Sequence, residues 1–211
     1  MKRYLSATPI LALLFLVSGA VYGGDLEFKA ELTGFEEVPV AVETDTTGEA
    51  KFEVDDDMTE MEFELEIEDA FGILGVAGAH IHCAPAGVNG PVVVFLAGAV
   101  PGGLDGKVEI KATVSDANIV DPACGATLAE LIDSMAAGNT YVNVHSIDNP
   151  GARYAGRSNS IDDQLHQPIG IDSAHSPTAA PEAAVPFVEP GVQSFCKQSI
   201  PNCHLVNKTN Q

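Results

Sequence analysis

The nine residues Glu60-Met61-Glu62-Phe63-Glu64-Leu65-Glu66-Ile67-Glu68 alternate strictly between glutamate and a large apolar side chain. Successive side chains of a β-strand point to opposite faces, so a period of two indicates a strand with one face in a core and the other in water. The five glutamates also discourage pairing between the edges of neighbouring molecules. The stretch therefore predicts a half-buried strand.

Similar alternation occurs on both sides of this stretch. It predicts strands over residues 26–32, 49–54 and 107–114, with further strands at 141–145 and 154–158. The continuous apolar run Val92–Leu96 is typical of a fully buried strand. Turn residues rich in Gly, Pro and Asp separate these segments. Short strands at regular intervals predict a mostly β protein, an antiparallel sandwich or barrel.

One short helix is also predicted. Thr127 and Glu130 have the spacing of a capping box, in which each side chain satisfies a backbone N–H of the first turn. Apolar residues follow at helical intervals, and Gly138 is a typical helix end. We expect this helix to pack on the outside or at one end of the strands.

The N-terminus has the pattern of a secretory signal peptide over residues 1–23. Lys2 and Arg3 precede the apolar run Ile10–Val17, and the small residues at 18–20 suit a signal peptidase. The run is too short to cross a bilayer, and no later segment is longer. Cleavage after Ala20 or Gly23 is expected, the alternative being an uncleaved anchor. The pattern predicts a secreted or periplasmic protein.

The composition changes again at Ser160. Prolines recur through the rest of the chain and interrupt any regular element. We therefore expect one β domain over residues 25–159 and a Pro-rich linker and disordered C-terminal tail over residues 160–211, with a small loop closed by Cys196 and Cys203.

The chain is strongly acidic. Its 30 acidic and 10 basic side chains give a net charge of -20, and removal of Lys2 and Arg3 changes that to -22. Residues 25–69 alone hold 18 acidic side chains against two lysines. This balance argues against nucleic acid or an anionic membrane as a partner, since both require a positive surface. It suits cations, basic partners or solubility alone.

Four cysteines in an exported chain favour disulfides. Three pairings are possible, and the sequence does not choose among them. We expect the local pairing, Cys83 with Cys124 and Cys196 with Cys203.

Three segments of the chain together resemble a known family. The first is Phe28-Lys29-Ala30-Glu31-Leu32-Thr33-Gly34 with Glu37-Val38-Pro39, and the second is Ala79-His80-Ile81-His82 with Asn89-Gly90-Pro91-Val92-Val93. The third is the segment Ala137–His145 with Asn149-Pro150-Gly151. In this order they resemble the CHRD domain, a module described in chordin and in exported bacterial proteins. The matches extend from about Leu26 to Arg157.

The resemblance implies an immunoglobulin-like β-barrel or sandwich with distant similarity to copper/zinc superoxide dismutases. It implies no enzymatic activity, and chordin is a precedent for binding. The family usually continues after the proline turn with the sequence Gly-Glu-Ile-Arg-Gly-Gln. This chain departs from that sequence, because Arg153 replaces the glutamate and Ala155 replaces the arginine. The resemblance therefore carries no role of that arginine over to this chain.

Two hypotheses describe the histidines of the domain. His80 and His82 are two residues apart on a strand and so share a face, and His145 lies on another strand. Together they form a candidate copper or zinc site. The alternative is a buried polar network in which His80 and His82 join Glu37, Tyr141 and Asn143 and fix loops to the strands. Alternation turns Cys83 away from both histidines.

A complete superoxide dismutase site would need a fourth histidine and a zinc-binding aspartate, but the remaining histidines, His166, His175 and His204, fall in the tail. We therefore expect a non-enzymatic binding or structural module with an unidentified protein or extracellular ligand. The alternative function is metal binding.

Overall fold

The computed structural model describes residues 26–37, 40–148, 154–157, 159–160, 197 and 200–208. Ten strands and one α-helix occur within these ranges. The strands are β1 (Leu26–Leu32), β2 (Thr47–Val54), β3 (Met61–Ile73), β4 (Ala79–Cys83), β5 (Val92–Ala97), β6 (Leu104–Val114), β7 (Thr140–Val144), β8 (Tyr154–Arg157), β9 (Asn159–Ser160) and β10 (His204–Lys208). The helix α1 spans Leu128–Ala136. Short 3-10 turns lie at Gly34–Glu36, Asp116–Asn118 and Pro122–Cys124.

The strands form two antiparallel sheets. One has six strands in the order β10-β6-β3-β2-β1-β9, and the other has four in the order β5-β4-β7-β8. An isolated bridge between Ile73 and Ser146 joins one corner of the two sheets. The predicted mostly β, antiparallel sandwich with one short helix is confirmed.

The alternation that predicted β3 also explains the core. Met61, Phe63, Leu65 and Ile67 are all buried, whereas Glu62 and Glu68 point to solvent. On β2, Ala50 and Phe52 lie opposite Leu65 and Phe63 and extend the same apolar layer. Burial of a large apolar side chain contributes about 1.5–3 kcal/mol, so this layer is a main source of stability.

The helix is confirmed with its predicted cap. Thr127 accepts a hydrogen bond from the Glu130 backbone N–H, and the Glu130 side chain accepts one from the Thr127 N–H at 3.2 Å. Its apolar face is buried in the main core through Leu128, Leu131, Ile132 and Met135. Thus the spacing that predicted the helix also identified its packing face.

Within the proposed tail the structure contains a strand that no sequence pattern predicted. Residues of β10 pair with β6, and Ile200, Cys203 and Leu205 are buried in the main core. β10 has only five residues, of which Leu205 alone is fully buried, so its alternation is too short to predict a strand. The proposed signal peptide and Cys196, the expected partner of Cys203, lie outside the described residues.

No helix among the described residues is long and apolar enough to cross a membrane.

Candidate functional site

The paired strands β4 and β7 place the candidate residues side by side. His80 lies opposite Asn143, and His82 lies opposite Tyr141. The residues between them, Ile81 and Val142, are fully buried and face the sandwich core. The alternation of the two strands therefore directs all four polar side chains to the other face of the sheet.

His145 completes a cluster with His80 and His82. Its backbone is fixed just beyond β7, since its N–H donates to the Gly78 carbonyl at 2.9 Å and its carbonyl accepts from the Leu74 N–H at 2.8 Å. The ring centroids of His80 and His145 are 5.0 Å apart, and those of His80 and His82 are 5.7 Å apart. One ring nitrogen from each of the three residues lies within 4.8 Å of the others. The structure thus brings together all three histidines singled out by the sequence.

The tautomer of His82 follows from its hydrogen bond. Nδ1 lies 2.9 Å from the Gly90 carbonyl oxygen. Because a carbonyl oxygen only accepts, Nδ1 carries the proton, and the lone pair of the neutral ring is on Nε2. Nε2 is buried and has no hydrogen-bond partner among the described residues. Metal-binding histidines are commonly oriented in this way by a backbone carbonyl.

His80 also holds a buried nitrogen without a partner. Its side chain is only 4% exposed, and Nδ1 makes no hydrogen bond within the described part of the chain. Phe95 packs edge-on against the ring at a centroid distance of 4.8 Å. Burial, together with the smaller effects of the nearby His145 and His82, lowers the pKa of His80 to about 3. His80 is therefore neutral at pH 7, which is the form that coordinates metals.

The loop between β4 and β5 holds His82 in place. The Gly90 N–H donates to the Tyr141 hydroxyl at 3.2 Å, and the Tyr141 ring stacks on His82 with centroids 4.9 Å apart. At the base of the loop, the Cys83 N–H donates to the Pro91 carbonyl at 3.0 Å. A Cβ atom added to Gly90 would lie 1.8 Å from the Cys83 carbonyl oxygen, so this close approach requires glycine. Burial lowers the pKa of His82 too, while the bond to Gly90 opposes that effect.

A disulfide joins Cys83 to Cys124, as expected. Cys124 ends a 3-10 turn that leads into α1, so the bond ties the start of the helix to the end of β4. Such a bond fits an oxidising compartment. Cys83 is next to His82 in sequence but does not belong to the histidine cluster.

The residues of the alternative polar network are also brought together. Glu37, Tyr141 and Asn143 are each at least 90% buried and line one groove on the same side of the sheet. Asn143 Oδ1, however, has no hydrogen-bond partner among the described residues.

The sequence did not identify Gly90 or Phe95 as parts of the site. The run Val92–Leu96 was expected to be fully buried, but Phe95 is 38% exposed.

The remaining histidine that the structure describes lies elsewhere. His204 is an exposed residue of β10, in the six-stranded sheet, and lines a groove with Lys51 and Lys111. His166 and His175 lie outside the described residues.

The family model described as "CHRD domain" matches residues 28–157. No curated protein matches the chain. No solved structure matches it either.

Proposed function

The chain belongs to the CHRD domain family, and on that premise we propose that it is an exported, non-enzymatic binding module whose ligand is one copper or zinc ion held by His80, His82 and His145. The observation that carries this proposal is the convergence of the three rings with two buried, unpartnered nitrogens. An unsatisfied buried polar atom destabilises the folded state by about 1–3 kcal/mol. Two such atoms therefore lower the stability of the fold unless a ligand binds both.

The spacing of the nitrogens supports a metal of this size. Two metal–nitrogen bonds of about 2.1 Å at a tetrahedral angle place the nitrogens about 3.4 Å apart. The three nitrogens lie within 4.8 Å of one another. Side-chain adjustments of about 1 Å therefore suffice for all three to coordinate one ion. Imidazole ligands suit copper and zinc, and three of them leave a fourth position for water or a small ligand.

The electrostatic setting supports the same proposal. Burial keeps His80 neutral, and the Gly90 carbonyl fixes the proton of His82 on Nδ1. Burial lowers the pKa of both residues, so His80 and His82 require no deprotonation at pH 7 before they bind a cation. The net charge of -20 also attracts cations towards the protein.

The test is the metal content of the purified full chain. The protein is stripped with a chelator, dialysed against copper or zinc, and analysed for metal per chain. We expect one equivalent in the wild type and in the control His204→Ala, and none in His80→Ala/His82→Ala. At a free metal concentration 100 times Kd, binding stabilises the folded state by about 2.7 kcal/mol, which a rise in melting temperature reports.

If wild type and double variant retain equal amounts of metal, and metal leaves both melting temperatures unchanged, the proposal is wrong. The histidines then belong to the structural polar network described above. That network predicts a lower melting temperature for the double variant with or without metal.

A further inference from the structure

A groove separate from the histidine cluster lies beside it on the four-stranded sheet. Its volume is about 240 Å³. Its walls come from the 3-10 turn at Gly34–Glu36, the loop after β4, and strands β7 and β8. Tyr141 belongs to the groove wall and also stacks on His82, whereas none of the three histidines lines the groove.

The floor of the groove holds an unused hydrogen-bond acceptor. Asn143 is 5% exposed, lines the groove, and has an Oδ1 atom without a hydrogen-bond partner among the described residues. A buried amide oxygen in this state lacks about 1–3 kcal/mol of stabilisation that a donor would supply. The floor therefore favours a ligand that brings N–H groups.

The rim of the groove combines apolar and acidic character. Phe35 is 72% exposed and Val88 is 50% exposed, so both present apolar surface to solvent. Glu36 is exposed beside them, and the buried Glu37 lies deeper in the groove. An aromatic face next to a carboxylate attracts a cation, and the apolar rim accommodates an alkyl chain.

We propose that this groove binds an arginine side chain presented by a peptide segment of a basic protein partner. The guanidinium group has several N–H donors in a fixed fork. These donors can bond Asn143 Oδ1 and the exposed Glu36 carboxylate together. Its alkyl stem fits between Phe35 and Val88, and the flanking peptide covers their exposed surface. A volume of about 240 Å³ suits one side chain, and the net charge of -20 favours a basic partner.

The proposal is tested by titrating the full chain with a blocked peptide that carries one central arginine. The matched ligand is the same peptide with citrulline, which keeps the shape and loses the charge. Calorimetry and amide chemical shifts should show saturable binding of the arginine peptide and binding at least about tenfold weaker for citrulline. Affinity should fall as salt is raised.

Variants locate the binding. Phe35→Ala and Glu36→Gln alter exposed residues, so both should fold, and each should weaken the arginine peptide by about threefold to tenfold. Phe71→Ala removes another exposed phenylalanine, one that does not line the groove, and should bind as the wild type does. Asn143→Ala removes the buried acceptor itself and should also weaken binding of the arginine peptide.

Four results would overturn the proposal. The first three are absence of saturable binding, equal affinity for arginine and citrulline peptides, and unchanged affinity in Phe35→Ala and Glu36→Gln. Agmatine binding as tightly as the peptide would also overturn it, because the site would then serve a free guanidinium compound. The groove and the metal cluster are tested by different ligands and variants, so failure of one leaves the other in place.

Discussion

His80 links the chemistry of the site to the stability of the fold. Its pKa falls from 6.5 to about 3 on folding, chiefly through burial. A depressed pKa means that the folded state binds fewer protons than the unfolded state below pH 6.5. The contribution of neutral His80 to stability is therefore complete above pH 6.5 and is lost progressively as the pH falls towards 3.

This gives a prediction for the metal-free protein. Between pH 6.5 and 5, titration of His80 in the unfolded state should lower the free energy of unfolding by about 2 kcal/mol. Urea unfolding of the wild type and of His80→Gln in the presence of chelator should show this difference in pH dependence. Carboxylates titrate in both proteins, so their effect cancels in the comparison. If the free energy of unfolding depends on pH in the same way in the two proteins, His80 is not buried as a neutral ring.

Much of the site at this scale could be predicted from sequence spacing. The two-residue interval places His80 and His82 on one face and turns Cys83 away, because strand geometry is local. The hydrogen bond from His82 to Gly90 could not be predicted. It depends on how the loop after β4 closes, and this in turn depends on the contact between Gly90 and the Cys83 carbonyl.

At the scale of elements, β10 differs most from the expectation. Leu205 is fully buried against the six-stranded sheet, while Val206 is half-buried on the same strand. The capping box made α1 predictable from local residues, whereas β10 acquires its structure from its pairing with β6. Strand propensity in five residues is weak, and tertiary pairing decides the outcome.

The structure predicts unequal effects of two substitutions in β10. Leu205→Ala should lower the free energy of unfolding by about 2–4 kcal/mol, because it opens a cavity in the core. Val206→Ala, the control, should cost about 1 kcal/mol or less. Denaturant unfolding of both variants checks this. Equal small effects would show that β10 is not packed on the domain in solution.

At the scale of the molecule, charge is the dominant surface property. Cross-strand pairs in the six-stranded sheet place glutamates opposite one another at Glu49–Glu66, Glu53–Glu62 and Glu66–Glu109. Lysines offset part of this repulsion, since Lys107 contacts both Glu66 and Glu68, and Lys111 contacts Glu64 and Glu109. Exposed ion pairs contribute little, so net repulsion remains.

Screening this repulsion should stabilise the protein. Raising sodium chloride from 0.01 to 0.5 M shortens the Debye length well below the width of the sheet. We expect the melting temperature to rise by about 3 °C, which corresponds to roughly 1 kcal/mol. The variant Glu53→Gln/Glu62→Gln removes one facing pair and should respond less. A melting temperature that falls with salt would instead assign the larger effect to the lysine–glutamate contacts.

The position of β10 in the sheet also determines the order in which a growing chain can complete its fold. Its first residue, His204, pairs with Lys111, which is synthesised 93 residues earlier (204 minus 111). Until β10 emerges, no other strand that the structure describes pairs with the outer edge of β6, and an unpaired strand edge can pair with other chains. Early termination of synthesis would therefore release a nearly complete domain with one unpaired strand edge. The expected consequence is aggregation, and the histidine cluster would not be lost.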